Sequence, residues 1–283
     1  MTWRRPTRSA SADDLLAKLG RLTAQARDRA EMHRARVELA EALQREMLPS
    51  ALPALPGLRT AAGYQPARDG LDIGGDWYDG FRLPDGTLGF SIGDAQGHDV
   101  EAAAFMGQVR IALRALAGAV ADPGEVLSRL NDLLFSMDTD LFATCTFLRY
   151  DPGTRVLAST RAGHIPTVFA TAGGGCLVDD GDCGIPLGIL PGQHYPVARQ
   201  RLSGTGAVVL VTDGVVEGPS FALDDGLREV ARVAVSGAAD PPERLAARVL
   251  GVSTHTGHAD DAAVLVLRHG GPADGTRRLR TGG

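Results

Sequence analysis

The sequence predicts an α+β fold in which strands run in meanders and helices enter as separate excursions, behind an N-terminal helical extension. Three observations lead there. Short β-type runs at residues 88–92, 143–149, 156–160, 167–170 and 208–211 are separated by turn signals such as Pro84-Asp85-Gly86 and Asp151-Pro152-Gly153. After residue 48, helical periodicity marks residues 100–117, 123–137 and 241–250, so helices do not follow every strand as in a repeating βαβ sheet. Residues 11–47 hold no proline and one glycine, Gly20, among many Ala, Leu, Arg and Glu, all strong helix formers.

Taken in order, the leading helix carries Leu15, Leu19, Leu22, Ala26, Ala30, Val37, Ala40, Leu43 and Met47 at three- and four-residue steps, a coiled-coil-like seam interrupted by His33. Asp13 and Asp14 fall in its first turn, where the helix dipole favours negative charge. Two uses of this helix stay open: folding back on its own domain, or acting as a stalk that pairs with a second copy. Its Ala-rich seam buries little area, so a homodimer through it is expected to be weak. Pro49, Pro53, Pro56 and Gly57 then end the helix. The expected division is a helix over residues 1–47, a main domain over 48–269 and a Gly- and Arg-rich disordered tail over 270–283.

Composition excludes several function classes. The 283 residues suffice for a sizeable core, which is aliphatic, because aromatics make up only 5% of the chain. A net charge of −5 argues against a nucleic acid as main partner, and the basic start Trp3-Arg4-Arg5-Pro6-Thr7-Arg8 is too short to reverse that. Cys145, Cys176 and Cys183 are odd in number and lack zinc-site spacing, so neither a disulfide framework nor structural zinc is expected. No apolar run reaches the roughly 18 residues of a membrane span, and no signal-peptide pattern opens the chain. The expectation is a cytoplasmic protein without membrane contact.

Four aspartate sites carry the chemistry, each where a strand meets a Gly-rich turn. They are Gly74-Gly75-Asp76-Trp77-Tyr78-Asp79, Gly93-Asp94-Ala95-Gln96-Gly97-His98, Thr212-Asp213-Gly214 and Asp260-Asp261. A lone Gly-Asp is usually a turn. Four of them, two directly after apolar runs, suit a centre where carboxylates from distant segments converge with close backbone approach. Aspartates without His or Cys select hard divalent cations such as magnesium or manganese.

With these motifs in hand, residues 43–267 resemble the metal-dependent protein phosphatase superfamily, in the bacterial branch of the sporulation phosphatase and the general stress-response regulators. The resemblance rests on the leader Leu43-Gln44-Arg45-Glu46-Met47-Leu48-Pro49, on Gly74 through Asp79, and on Ile92-Gly93-Asp94 with Gly97-His98. Further on it rests on Ala162-Gly163-His164-Ile165-Pro166, Pro186-Leu187-Gly188, Val211 through Glu217, and Asp260-Asp261 before a last apolar strand. It implies a four-layer α/β/β/α sandwich of two antiparallel sheets flanked by helices. It also implies two divalent cations, Mn2+ or Mg2+, bridged by Asp94, with Asp76, Asp213, Asp260 and the backbone carbonyl of Ala95 completing the ligands. Asp261 is the weaker candidate of its pair.

By the same resemblance Gly75, Gly93, His98 and Gly214 shape the surroundings, and the reaction is hydrolysis of phosphoserine or phosphothreonine by an activated water, without a covalent phosphoenzyme. The implied partner is a phosphorylated anti-anti-sigma-type protein. Arg68 is the candidate to meet the substrate phosphate, with a plain surface arginine as the alternative, and His98 and His164 are set between proton transfer and a simple hydrogen bond. Two departures stand out: Asp99 where the family usually has glycine, and Ala263 where a hydroxyl residue is common.

Two rival readings are weighed. Val211 through Val215 resembles the aspartate motif of haloacid-dehalogenase-type phosphatases, but the nucleophilic Asp needed two residues before Asp213 is Val211. A catalytically idle scaffold that binds a signalling partner would have no reason to retain four repelling carboxylates.

Overall fold

The computed structural model describes residues 12–66, 74–97, 100–137, 139–219, 221–257 and 260–270. In chain order the strands are β1 (Leu58–Gln65), β2 (Trp77–Arg82), β3 (Leu88–Ala95), β4 (Ala143–Asp151), β5 (Val156–Ala162), β6 (Thr167–Thr171), β7 (Cys176–Asp179), β8 (Val197–Arg201), β9 (Gly206–Val211) and β10 (Ala262–His269). They form two five-stranded antiparallel sheets, ordered β1-β10-β9-β6-β7 and β2-β3-β4-β5-β8. The helices are α1 (Ala12–Met47), α2 (Val100–Ala119), α3 (Pro123–Phe135), α4 (Asp213–Val216), α5 (Leu223–Gly237) and α6 (Pro242–Leu250).

Three apolar layers show how the sheets and helices stack. Along β10, Ala263, Leu265 and Leu267 join Phe90 and Ile92 of β3 and Leu148 of β4 between the sheets. The alternate residues Ala262, Val264 and Val266 pack against Val230 and Ala234 of α5 and Val249 of α6. On the second sheet, Phe147 and Cys145 face Met106 and Leu113 of α2 and Leu127 and Leu130 of α3. Both faces of the central strands are therefore buried, which is why β9 and β10 read as continuous apolar runs with no alternation. Each fully buried Leu, Val or Phe contributes about 1.5–3 kcal/mol over an exposed one. The result is the expected α/β/β/α sandwich of two antiparallel sheets.

Local chemistry sets the boundaries. Asp122 caps α3, its carboxylate accepting from the amides of Gly124 and Glu125 at 2.9 and 3.1 Å, with Pro123 in the first turn. Helix α1 meets the rest of the fold at its last turn, where Met47 packs beside Ala103 of α2. The segment after it is laid on β1 and β2: the Thr60 hydroxyl donates to the Pro53 carbonyl at 2.8 Å, and Arg82 to that of Ala54 at 2.8 Å.

Strands β1, β2, β7 and β8 and helix α5 are not among the elements the sequence predicts. Strands β7 and β8 are sheet edges, β7 only four residues long and β8 largely exposed and polar (Val197-Ala198-Arg199-Gln200-Arg201), so no apolar alternation marks them. Helix α5 opens on Leu223-Asp224-Asp225-Gly226, whose glycine masks an otherwise amphipathic pattern. The tail expected to be disordered lies, beyond Gly270, outside the described residues.

Candidate metal centre

Strand ends place the acidic groups. Asp76 immediately precedes β2, Asp94 is the penultimate residue of β3, and Asp213 opens α4 two residues after β9. One ligand oxygen from each of these three carboxylates lies within 4.8 Å of the others. Because β3 and β9 belong to different sheets, the cluster bridges the sandwich at one end.

The Gly-Gly that precedes Asp76 is required by close approach. The Gly75 amide carbonyl accepts from the amide of Ala95 at 3.1 Å, and a Cβ on Gly75 would sit 2.0 Å from the Ala95 carbonyl oxygen and 2.9 Å from Asp94 Oδ1. The Ala95 carbonyl thus faces the same side as the Asp94 carboxylate. Gly93 faces Trp77 across β2 and β3, leaving room for the indole, whose Nε1 donates to Ser91 Oγ at 3.3 Å. Gly214 lies against the Asp261 carbonyl.

The carboxylates repel one another. Burial, and then the neighbouring Asp94 and Asp213, hold Asp76 well above the usual carboxylate range. Burial followed by Asp213 and Asp260 pushes Asp94 up to about 8, and burial followed by Asp260 raises Asp213. Asp79, in the same motif as Asp76, stands in contrast: it is fully buried but paired with Arg110 at 3.4 Å and Arg114 at 2.8 Å on α2, so it joins a strand to a helix. Three acidic oxygens converging without a cationic partner among the described residues, beside a backbone carbonyl, form a hard-oxygen donor set that fits divalent cations such as magnesium or manganese.

Asp260 and Asp261 occupy different environments. Asp260 is exposed and accepts from the Asp261 amide at 2.8 Å, whereas Asp261 is buried and hydrogen-bonded to Tyr64. Neither joins the three-carboxylate cluster within 4.8 Å. A Cβ on Gly74 would overlap Asp261 Oδ2 and lie 2.4 Å from the Tyr64 hydroxyl, so Gly74, Tyr64 and Asp261 meet at one point. Burial, with Asp76 and Asp261 nearby, raises the Tyr64 phenol far above its ordinary value, leaving it a neutral donor.

Two side chains that sequence reasoning passes over fix the centre. The Thr212 hydroxyl donates to Asp76 Oδ2 at 2.7 Å and accepts from the Ala263 amide at 2.8 Å. Tyr64 is the other. No spacing marks either one; only the adjacency of Thr212 to Asp213 hints at it. Ala263 itself packs between the sheets, so its missing hydroxyl takes nothing from the cluster.

His164 is buried with Nδ1 2.9 Å from Thr144 Oγ1 and Nε2 3.2 Å from the Val211 carbonyl. Since a carbonyl only accepts, Nε2 carries the hydrogen and Nδ1 takes the Thr144 hydroxyl's. Burial, with Arg161 adding to it, lowers its pKa to about 4. His164 is therefore a neutral tie between the sheets, the plain hydrogen-bonding role. Arg68, His98 and Asp99 lie outside the described residues.

Comparison with known proteins adds an independent observation. A family described as stage II sporulation protein E (SpoIIE) matches residues 84–270. The phosphoserine phosphatase RsbU of Bacillus subtilis (strain 168) is 26% identical over 182 residues, covering 64% of this chain and 53% of RsbU. The structure of the RsbU and RsbW domains of Rv1364c from Mycobacterium tuberculosis superposes with a TM-score of 0.72 at 31% identity, covering 80% of this chain and 64% of that one. The SiaA-PP2C domain of Pseudomonas aeruginosa shares the fold, with a TM-score of 0.70 at 21% identity over 85% of this chain and 97% of that one. This chain thus spans about half the length of RsbU.

Proposed function

The chain belongs to the stage II sporulation protein E family, and from that membership we propose that it is a metal-dependent protein phosphatase acting on phosphoserine or phosphothreonine of a partner protein. The observation that carries this reading is the cluster of Asp76, Asp94 and Asp213, whose oxygens approach within 4.8 Å with no cationic partner among the described residues. Such mutual repulsion is sustained where divalent cations bind.

In this proposal Asp76, Asp94, Asp213, Asp260 and the Ala95 carbonyl hold two cations, Mn2+ or Mg2+. When bound, the cations supply the positive charge that acidifies a water and neutralises the phosphoryl oxygens. The chain's own residues do the positioning. Thr212 fixes the rotamer of Asp76, Tyr64 holds Asp261 against Gly74, and Asp94 leans on the Gly75 backbone. His164, neutral and engaged at both nitrogens, takes no part in proton transfer. Arg68 is proposed to bind the substrate phosphate.

The proposed substrate is an anti-anti-sigma-type phosphoprotein, a reading supported by the likeness to RsbU and to a chain that joins RsbU and RsbW domains. The exposed Leu16, Leu19 and Leu22 of α1 support a weak homodimer through that helix. Among the described residues no helix is long and apolar enough to cross a membrane. The test is hydrolysis of p-nitrophenyl phosphate with manganese, magnesium or chelator. Activity that requires the cation is expected, and a folded protein inactive with every cation would end the proposal.

A further inference from the structure

Among the large apolar side chains that the fold leaves in solvent are Phe135 at the end of α3 and Ile189 and Leu190 in the connection between β7 and β8, which α3 holds. They are held, not loose. Asn131, fully buried, donates from Nδ2 to the Leu190 carbonyl at 2.8 Å and accepts at Oδ1 from the Gly188 amide at 3.0 Å. Asp132 accepts from the Gly192 amide at 2.7 Å, which closes the loop onto the helix. Phe135 lies one turn beyond Asn131 on the same stripe of α3. Phe135, Ile189 and Leu190 are 46%, 43% and 53% exposed in this fixed arrangement.

A path of backbone pairings links this loop to the candidate metal centre. Leu187 bridges Ala143, and Ala143 pairs with Ala95, whose carbonyl faces the carboxylate cluster. Gln96, the next residue, donates its amide to the Phe142 carbonyl at 2.9 Å. Two strand spacings and two residues of chain put Ile189 roughly 17 Å at most from Ala95. A standard interface of about 800 Å² per partner corresponds to a disc of roughly 16 Å radius. A folded protein seated over the metal centre with an interface of this size therefore comes within reach of the loop of Ile189 and Leu190.

We infer that the α3 end and the loop of Ile189 and Leu190 form the docking surface for the folded phosphoprotein substrate, binding apolar side chains that flank its phosphoserine. The inference rests on the phosphatase reading. Rigid display of apolar groups suits this use, because a preorganised patch contributes its burial without the entropic cost of ordering a loop. It also explains why a buried Asn is devoted to holding two aliphatic residues in water.

The test uses the full chain with Phe135→Ser and with the pair Ile189→Ser and Leu190→Ser, and Leu177→Ser on the exposed β7 edge as control. The probe is a whole-cell phosphoprotein extract in which each phosphoserine is followed separately by mass spectrometry, alongside p-nitrophenyl phosphate. The expected result is a tenfold or greater slowing at the sites the wild type hydrolyses fastest, with p-nitrophenyl phosphate hydrolysis within twofold and the control unchanged. Equal rates at every phosphoserine would overturn the inference. A change of oligomeric state with unaltered rates would overturn it too and assign the surface to a second copy of the chain. Wild type inactive on p-nitrophenyl phosphate would remove the phosphatase reading itself and the proposed occupant with it.

Discussion

The Thr212 hydroxyl donates to Asp76 Oδ2 at 2.7 Å, joining the residue just after β9 in one sheet to the residue just before β2 in the other. The same oxygen accepts from the Ala263 amide at 2.8 Å, so its rotamer is fixed from both sides. A carboxylate held this way is oriented before any cation arrives.

Replacing Thr212 by valine keeps the shape and removes both bonds, leaving the buried Ala263 amide unpaired. The expected cost is about 1–3 kcal/mol of stability, with a rightward shift of the manganese activation curve of about tenfold or more. Thr212→Ser restores both. A Thr212→Val protein that melts normally and needs no more manganese than wild type would show that the hydrogen bond does not position Asp76.

Gly75→Ala tests the backbone side of the centre. The added Cβ would fall 2.0 Å from the Ala95 carbonyl oxygen, so either that carbonyl or the chain before Asp76 has to move. Phosphatase activity is expected to fall by about a hundredfold, while the distant sheet edges keep their amide protection in hydrogen exchange. Full activity in the alanine variant would mean that the Ala95 carbonyl is no part of the centre.

Asp94→Asn separates electrostatics from catalysis. Asp94 lies under burial and under Asp213 and Asp260, so its neutral replacement relieves repulsion in the metal-free protein. Chelator-treated Asp94→Asn is expected to melt above chelator-treated wild type, yet to gain little on adding manganese and to lose about a hundredfold or more in activity. A variant that melts lower in chelator would contradict the repulsion derived for the cluster.

The residues of the cluster were legible in the sequence because each sits in a Gly-flanked strand end, a local pattern. What locates them in space was not. Thr212 and Tyr64 act through bonds to Asp76 and Asp261, partners 136 residues away in the first case, and no local pattern encodes such a pairing. The central strands were readable from unbroken apolar runs, whereas β7 and β8, whose residues face water at the edges, carried no such signal. Asp79 shows the converse: it shares the motif of Asp76, yet two arginines of α2 claim it.

Buried, neutral His164 predicts how stability follows pH. Its folded pKa of about 4 lies below the ordinary 6.5, so it takes up its proton later than the unfolded chain does on acidification. Its contribution is complete above pH 6.5 and is lost as pH falls toward 4, on the order of 2 kcal/mol between pH 7.5 and 5. Asp94, raised to about 8, has the opposite slope in metal-free protein, losing stability as pH rises through that value. The measurement is therefore the difference between wild type and His164→Gln, by urea unfolding at both pH values with manganese held constant. The two proteins share Asp94, so its slope cancels. The variant is expected to lose less stability on going to pH 5, and equal losses would show that His164 does not stay neutral between Thr144 and Val211.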